Sequence, residues 1–295
     1  MWVSKNWKDY RLVDASDGER LELWGKYSLI RPDPQVIWKN ERRSPLWKNA
    51  DAGYRRSRSG GGAWTENSLP EKWTISYGRL RFVIKPMGFK HTGLFPEQAT
   101  NWDWFSELIT KAGRPIKVLN LFAYTGGATV AAAAAGASVC HVDAAKGMVA
   151  AAKENAALSG LSDAPIRYIV DDCRKFMERE LRRGNRYDAI IMDPPSYGRG
   201  PTGEVWKIEE SIDDFVALSA SLLSDTPLFF LLNSYTTGLS AAAMRYIVDL
   251  RVAAHRGGVT EADEIGLFVE RTGLTLPAGS SVRCVFNRKK GEAHE

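Results

Sequence analysis

The stretch VLNLFAYTGGATVAAAAAGA, Val118 to Ala137, starts as an apolar strand, turns through Gly126-Gly127 and leaves in a run of alanines. Alanine is the strongest helix former, so the pattern predicts strand, glycine turn, helix. Adjacent glycines let backbone pass close to a ligand, and the first turn of a helix offers unpaired N–H groups to a hydroxyl or carboxylate. The alternative is a bare strand-to-helix turn. A phosphate loop requires a lysine after its glycines, and none follows here. A dinucleotide fingerprint requires GxGxxG, which YTGGAT does not supply. A nucleoside without phosphates remains.

Outward from this stretch, strand-like and helix-like runs alternate. Strands are predicted at about 116–121, 138–142, 166–170, 187–192 and 228–232, and helices at about 95–112, 128–135, 145–158, 173–183, 204–223 and 240–255. Such alternation is the signature of a parallel sheet covered by helices. ADEIGLFVE and SSVRCVFNR add two late strands separated by a turn, 271–279. The fold class is therefore α/β, with a Rossmann-like seven-stranded sheet over residues 88–295. Before it, residues 1–87 read as a small β-rich domain: strands break at Ser16-Asp17-Gly18, a hairpin turns at Tyr77-Gly78, and a glycine-rich loop, 58–63, interrupts them.

Acids recur where the predicted strands end. Asp143 closes the second, where a carboxylate can accept both ribose hydroxyls. Asp171 and Asp172 close the third; Asp172 is placed to receive the adenine amino group and Asp171 to cap the next helix, although either could simply complement a helix dipole. The fourth strand ends in Asp193-Pro194-Pro195-Ser196-Tyr197. Prolines are poor strand formers, so something other than backbone pairing retains them.

With these motifs in order, the sequence resembles the class I S-adenosylmethionine-dependent methyltransferases, and more narrowly the bacterial 23S rRNA large-subunit methyltransferases. The family's TGxxxDQ-like segment is matched by Thr92, Gly93 and Gln98 in HTGLFPEQATNW; Glu97 replaces its acid, and Asn101-Trp102 stand near its missing arginine. The resemblance covers about Lys85 to Arg288. It implies S-adenosylmethionine as cofactor, held by Thr92, Gly93, Gln98, Phe122, Ala123, Thr125, Gly126, Gly127, Asp143, Ala144, Asp171, Asp172, Cys173 and Asp193. It also implies a methyl-acceptor site in which Asp193, Pro194 and Pro195 receive the target amine and Tyr197 stacks on the base. Methyl transfer from a sulfonium is an in-line displacement that needs positioning and desolvation but no metal. The RNA-binding domain that often precedes the family's small domain is expected to be absent.

The cysteines choose between acceptor chemistries. Methylating cytosine at C5 requires a thiolate that adds to C6. Cys140, Cys173 and Cys284 are the chain's three cysteines, and neither DPPSYG nor NSYTTG contains one. A base amine or ring nitrogen is the expected acceptor.

The chain's 295 residues carry a net charge of +5, concentrated between Lys39 and Arg58 with Trp38, Trp47, Tyr54 and Trp64 interleaved. Cations can track RNA phosphates and rings can stack on bases; the bland alternative is a solvated charged loop. In the loop after DPPSY, Arg199 and Lys207 could meet phosphates and Trp206 could stack or staple a helix. No apolar run reaches the roughly 18 residues that span a bilayer. Scattered cysteines and no signal peptide suit the cytoplasm. A homodimer would widen the basic surface. Two other readings keep different partners: a methyltransferase acting on a protein or small molecule, and a ribosome-assembly factor that binds donor or RNA without turnover.

Overall fold

The computed structural model describes residues 1–57, 61–65, 68–199 and 205–286. Arg58 and part of the expected 58–63 loop lie outside these residues, as do 200–204 of the loop after DPPSYGR and 287–288 of the last expected strand. Two compact units form: Met1–Asn101 with Glu154–Gly160 and Ile265–Ala278, and Trp102–Lys153 with Leu161–Glu264 and Gly279–Glu295.

The first unit begins with β1 (Trp2–Val3), which pairs parallel with Ile265 and Gly266. β2 (Tyr10–Ser16), β3 (Glu19–Trp24), β4 (Tyr27–Pro32), β5 (Ala52–Arg56) and β6 (Gly62–Thr65) form a five-stranded sheet in that order. β7 (Trp73–Tyr77) and β8 (Leu80–Ile84) form a separate hairpin. The β2–β3 turn has the Asp-Gly signature of a two-residue hairpin loop, with φ of 52° at Asp17 and 77° at Gly18. Residues 88–101, 154–160 and 265–278 belong to this unit, and hydrogen bonds hold 154–160 to β8. Asn155 Oδ1 accepts from Val83 N at 2.8 Å, and Ser159 Oγ accepts from Arg81 N at 3.0 Å.

A buried ionic cluster sits inside the first unit. Arg31 grips Glu22 with both arms of its fork, Nε to Oε2 at 2.5 Å and Nη2 to Oε1 at 2.7 Å, and Tyr10 Oη donates to Oε1 at 2.8 Å. Arg20 lies 3.4 Å from the same carboxylate. Burial alone would raise the Glu22 carboxyl, but the two arginines and the hydrogen bonds overcome it and hold it at about 2. The remaining Arg31 nitrogen, Nη1, donates to Lys90 O at 3.0 Å and Thr92 Oγ1 at 3.4 Å.

The basic, aromatic stretch is more structural than its composition suggests. Trp47 and Tyr54 are buried, which removes them as stacking platforms. Trp47 donates its indole N–H to Asp14 at 3.0 Å, and Trp64 donates to Met87 O at 2.8 Å. Arg42 lies over the Trp47 ring and pairs with Glu19 at 2.9 Å; Lys39 and Arg43 pair with Asp17 and Glu41. Large rings close to turns are drawn into the core because burying them removes more apolar area from water than stacking at a surface would.

The chain then continues through α1 (Ala99–Lys111), β9 (Lys117–Leu121), α2 (Gly127–Ala134), β10 (Ser138–Asp143), α3 (Lys146–Leu158), β11 (Ile166–Val170), α4 (Cys173–Arg182), β12 (Ala189–Met192), β13 (Tyr197–Arg199), β14 (Val205–Lys207), α5 (Ile208–Ala220), β15 (Phe229–Ser234), α6 (Ala241–Val248), α7 (Ala254–Arg256), β16 (Val259–Phe268) and β17 (Thr275–Val285). The main sheet runs β16-β17-β15-β12-β9-β10-β11, beyond the two-residue β1 at its edge. β15, β12, β9, β10 and β11 are mutually parallel, and β17 is antiparallel to β15. β12 and β15 are buried at every residue, as a sheet covered on both faces requires. Between α6 and α7 the turn widens into a π-helix, Asp249–Ala253, which breaks the single helix expected over 240–255.

Candidate active site

Parallel strands all end on one side of a sheet. Chain order runs one way from β9 to β10 and β11 and the other way to β12 and β15, so the topological switch falls between β9 and β12. Ligands of open α/β sheets bind in the crevice beyond the strand ends at such a switch. The two loops that flank it are Phe122–Gly126 and Asp193–Ser196.

The loop after β9 is tightly held. Phe122 and Tyr124 both have positive φ, 54° and 50°, an uncommon conformation for large side chains. Asp143, at the tip of β10, secures it: Oδ2 accepts from Tyr124 N and Oδ1 from Ala145 N, both at 2.8 Å. Burial pushes the Asp143 carboxyl up, and the two backbone N–H groups pull it down. Cys173, at the start of α4, accepts from Phe122 N at 3.4 Å and donates to Val142 O at 3.9 Å. Ala123 and Thr125 are buried, Phe122 is half-buried, and Ala144 is exposed.

Protein packing explains the two glycines. At Gly126, with φ of 82°, a Cβ would lie 2.7 Å from Ala152 Cβ; at Gly127 it would lie 2.7 Å from Trp102 Cζ2. The structure thus gives both glycines a packing reason, and Trp102, near the family's missing arginine, supplies half of it. Gly126→Ala should cost about 2–4 kcal/mol, combining left-handed strain with overpacking, measured as a lower urea midpoint.

Beneath the loop runs a chain that the sequence did not reveal. Asn120 Nδ2 donates to Thr129 Oγ1 at 2.9 Å, and Thr129 Oγ1 lies 2.9 Å from His141 Nδ1. All three residues are buried, and burial pulls the His141 imidazole down to about 4. Only the polar character of alternate positions in two apolar strands hinted at it.

Of the two acids after β11, the one that caps the helix is Asp172 and not Asp171. Asp172 is the N-cap of α4, its Oδ1 accepting from Lys175 N at 2.9 Å. Asp171 instead pairs with Arg179 and accepts from Asp172 N at 2.9 Å. The capping residue must immediately precede the first helical residue, and α4 begins at Cys173.

After β12, Asp193 is half-buried, Pro194 buried, and Pro195 and Tyr197 exposed. The loop after DPPSY contains a short antiparallel ribbon, β13 with β14, pairing Tyr197 with Lys207 and Gly198 with Trp206. Tyr197 stands on it with 52% of its surface accessible. Trp206 Nε1 donates to Pro195 O at 2.6 Å, Ile208 N to Ser196 O at 3.1 Å, and Thr236 Oγ1 to Ser196 Oγ at 2.6 Å. Lys207 pairs with Glu210 at 2.7 Å.

Thr92, Gly93 and Gln98 belong to the first unit. Thr92 is buried, Gly93 has φ of 89°, and Gln98 Oε1 accepts from Asn101 Nδ2 at 3.0 Å. The other candidates, Phe122 through Tyr197, belong to the second unit. Among the described residues, no group of three His, Cys, Asp or Glu side chains is placed to hold a metal ion, and no helix is long and apolar enough to cross a membrane.

The switch point thus lies between a glycine turn after the first parallel strand and DPP after the fourth. Residues 43–212 match the family model of S-adenosylmethionine-dependent methyltransferases, more than half of the chain, and the chain belongs to that family. It is an S-adenosylmethionine-dependent methyltransferase enzyme. A solved S-adenosylmethionine-dependent methyltransferase from Agrobacterium tumefaciens is 37% identical, with a TM-score of 0.90 over 97% of this chain and 93% of that one. A Streptococcus mutans S-adenosylmethionine-dependent methyltransferase shares the fold at 19% identity, with a TM-score of 0.72 over 96% and 76% of the two chains. The ribosomal RNA large subunit methyltransferase K/L of Shewanella baltica is 35% identical over 154 residues, which are 51% of this chain. The match spans only 20% of that relative's length.

Proposed function

We propose that this methyltransferase acts on an amine or ring nitrogen of a ribosomal RNA base. The carrying observation is the Asp193–Tyr197 loop on the β12 side of the topological switch, adjacent in the sheet to the glycine turn that follows β9. The rRNA-modifying relative supports the substrate class, and the cations of the first unit that remain exposed, such as Lys48 and Arg56, support an anionic partner.

The donor set suits a nucleoside. Each Asp143 oxygen takes one backbone N–H, and a carboxylate oxygen has room for another, so the pair can still receive two ribose hydroxyls. Asp172 caps with Oδ1 and offers its other oxygen to the adenine amino group. Cys173 and Asp143 lock Phe122, Ala123 and Tyr124 around the glycine turn, while Ala144 and Thr125 border it. Asp171 supports Asp172 from behind. Thr92, Gly93 and Gln98 are assigned to the methionine end. Bound S-adenosylmethionine supplies an electrophilic methyl group. At the acceptor, Asp193 and the Pro194 carbonyl accept the N–H groups of the target amine, Tyr197 stacks on its ring, and Asp193 holds the proton that leaves as nitrogen gains the methyl.

The thiols argue against cytosine C5. All three are buried, and burial raises Cys140 and Cys284 to about 11 and Cys173 further still, so none is poised as the thiolate that such chemistry requires. Incubation with labelled donor and unmodified rRNA, followed by nucleoside analysis, tests the reading. Label in an N-methylated purine or amine supports it; label in C5-methylcytosine, or none in RNA while a protein or small molecule is labelled, overturns it. A cytoplasmic location and a homodimer accompany this proposal, and light scattering with and without RNA tests the latter.

A further inference from the structure

Trp206 engages both loops at the switch point. Its indole N–H reaches the Pro195 carbonyl at 2.6 Å. Its ring lies 5.7 Å from that of Phe122, the positive-φ residue leading out of β9, and 5.2 Å edge-on from Phe215 of α5. Phe122 and Phe215 are themselves 5.2 Å apart, so the three rings form one wedge. From these contacts we infer that Trp206 is a positioning residue that sets the acceptor loop against the donor loop.

Three consequences follow from the geometry. The Pro195 carbonyl accepts the indole N–H through one of its two lone pairs, which fixes the direction of this carbonyl next to Asp193 and Pro194. A shift of the wedge moves the Asp193–Tyr197 loop relative to Phe122, and misplacement by about 1 Å can cost 10²-fold in rate. Thr236 and Ile208 tether Ser196, whereas Trp206 meets Pro195 and Phe122 together.

The inference rests on the proposed acceptor role of Asp193–Tyr197, and two readouts separate the two claims. Trp206→Phe keeps a ring against Phe122 and Phe215 but has no donor; Trp206→His restores a ring N–H. Hydrogen exchange of a peptide covering 189–199 reads the loop itself, and steady-state methylation of rRNA reads its use. Trp206→Phe should exchange faster at 193–199, lower kcat by about 10- to 100-fold and leave the donor KM within about twofold, with partial recovery in Trp206→His. Unchanged exchange overturns the inference, as does a loss shared equally by kcat, donor KM and Tm, or a Trp206→Phe chain that fails to fold, since each makes the role structural. If wild-type protein methylates no RNA while the exchange still responds, the brace stands and the acceptor reading falls.

Discussion

Asp193→Ala should lower methyl transfer to RNA by about 10²–10⁴-fold, the range for losing a positioned proton acceptor. The donor's Kd, measured by titration calorimetry, should change by less than about tenfold, because the ribose and adenine contacts are assigned to other strand tips. Asp193→Asn should recover part of the rate: the amide oxygen still accepts one N–H, but the group can no longer hold the departing proton. Undiminished turnover in Asp193→Ala would sink the acceptor assignment. A non-catalytic assembly role predicts that the variant retains full biological function, whereas the enzyme requires its loss.

The second large effect concerns stability. Arg31→Ala leaves the Glu22 carboxylate buried with only Arg20 and Tyr10 for partners, and breaking a buried pair from one side costs about 3–5 kcal/mol. Chemical denaturation should show that loss, and Arg31→Met with Glu22→Leu should recover much of it, because the uncompensated charge is gone. The pH dependence has a definite sign. Glu22 is held at about 2, below its unfolded value, so its contribution is complete above the ordinary carboxylate range and is lost as pH falls through about 2. Removing Arg31 should move that acid limb upward. Because Arg31 also donates to Lys90 O and Thr92 Oγ1, the same variant should loosen the 90–92 segment.

Much of the second unit was legible because hydrophobic runs changed period at each glycine or acid. β11 matches its expected bounds, 166–170, and α4 ends within one residue of its expected end. The neighbours of those runs were harder. Asp171 and Asp172 are adjacent acids, and only the position of the first helical residue decides which one caps. The ribbon of β13 and β14 is too short and too glycine-rich to show alternation. Arg31 and Glu22 look like ordinary surface charges in a strand; their mutual burial depends on strand register, which a linear pattern specifies only indirectly. Trp47 and Tyr54 misled for a related reason: a ring beside a cation reads the same whether it faces solvent or the core.

The chain Asn120, Thr129 and His141 beneath the donor loop has a consequence for kinetics. An imidazole that protonates only near pH 4 is electrically silent across the neutral range. Any inflection in the rate between about pH 6 and 9 therefore has to originate in a group other than His141, and the floor of the cleft acts as a fixed reference against which that titration can be assigned.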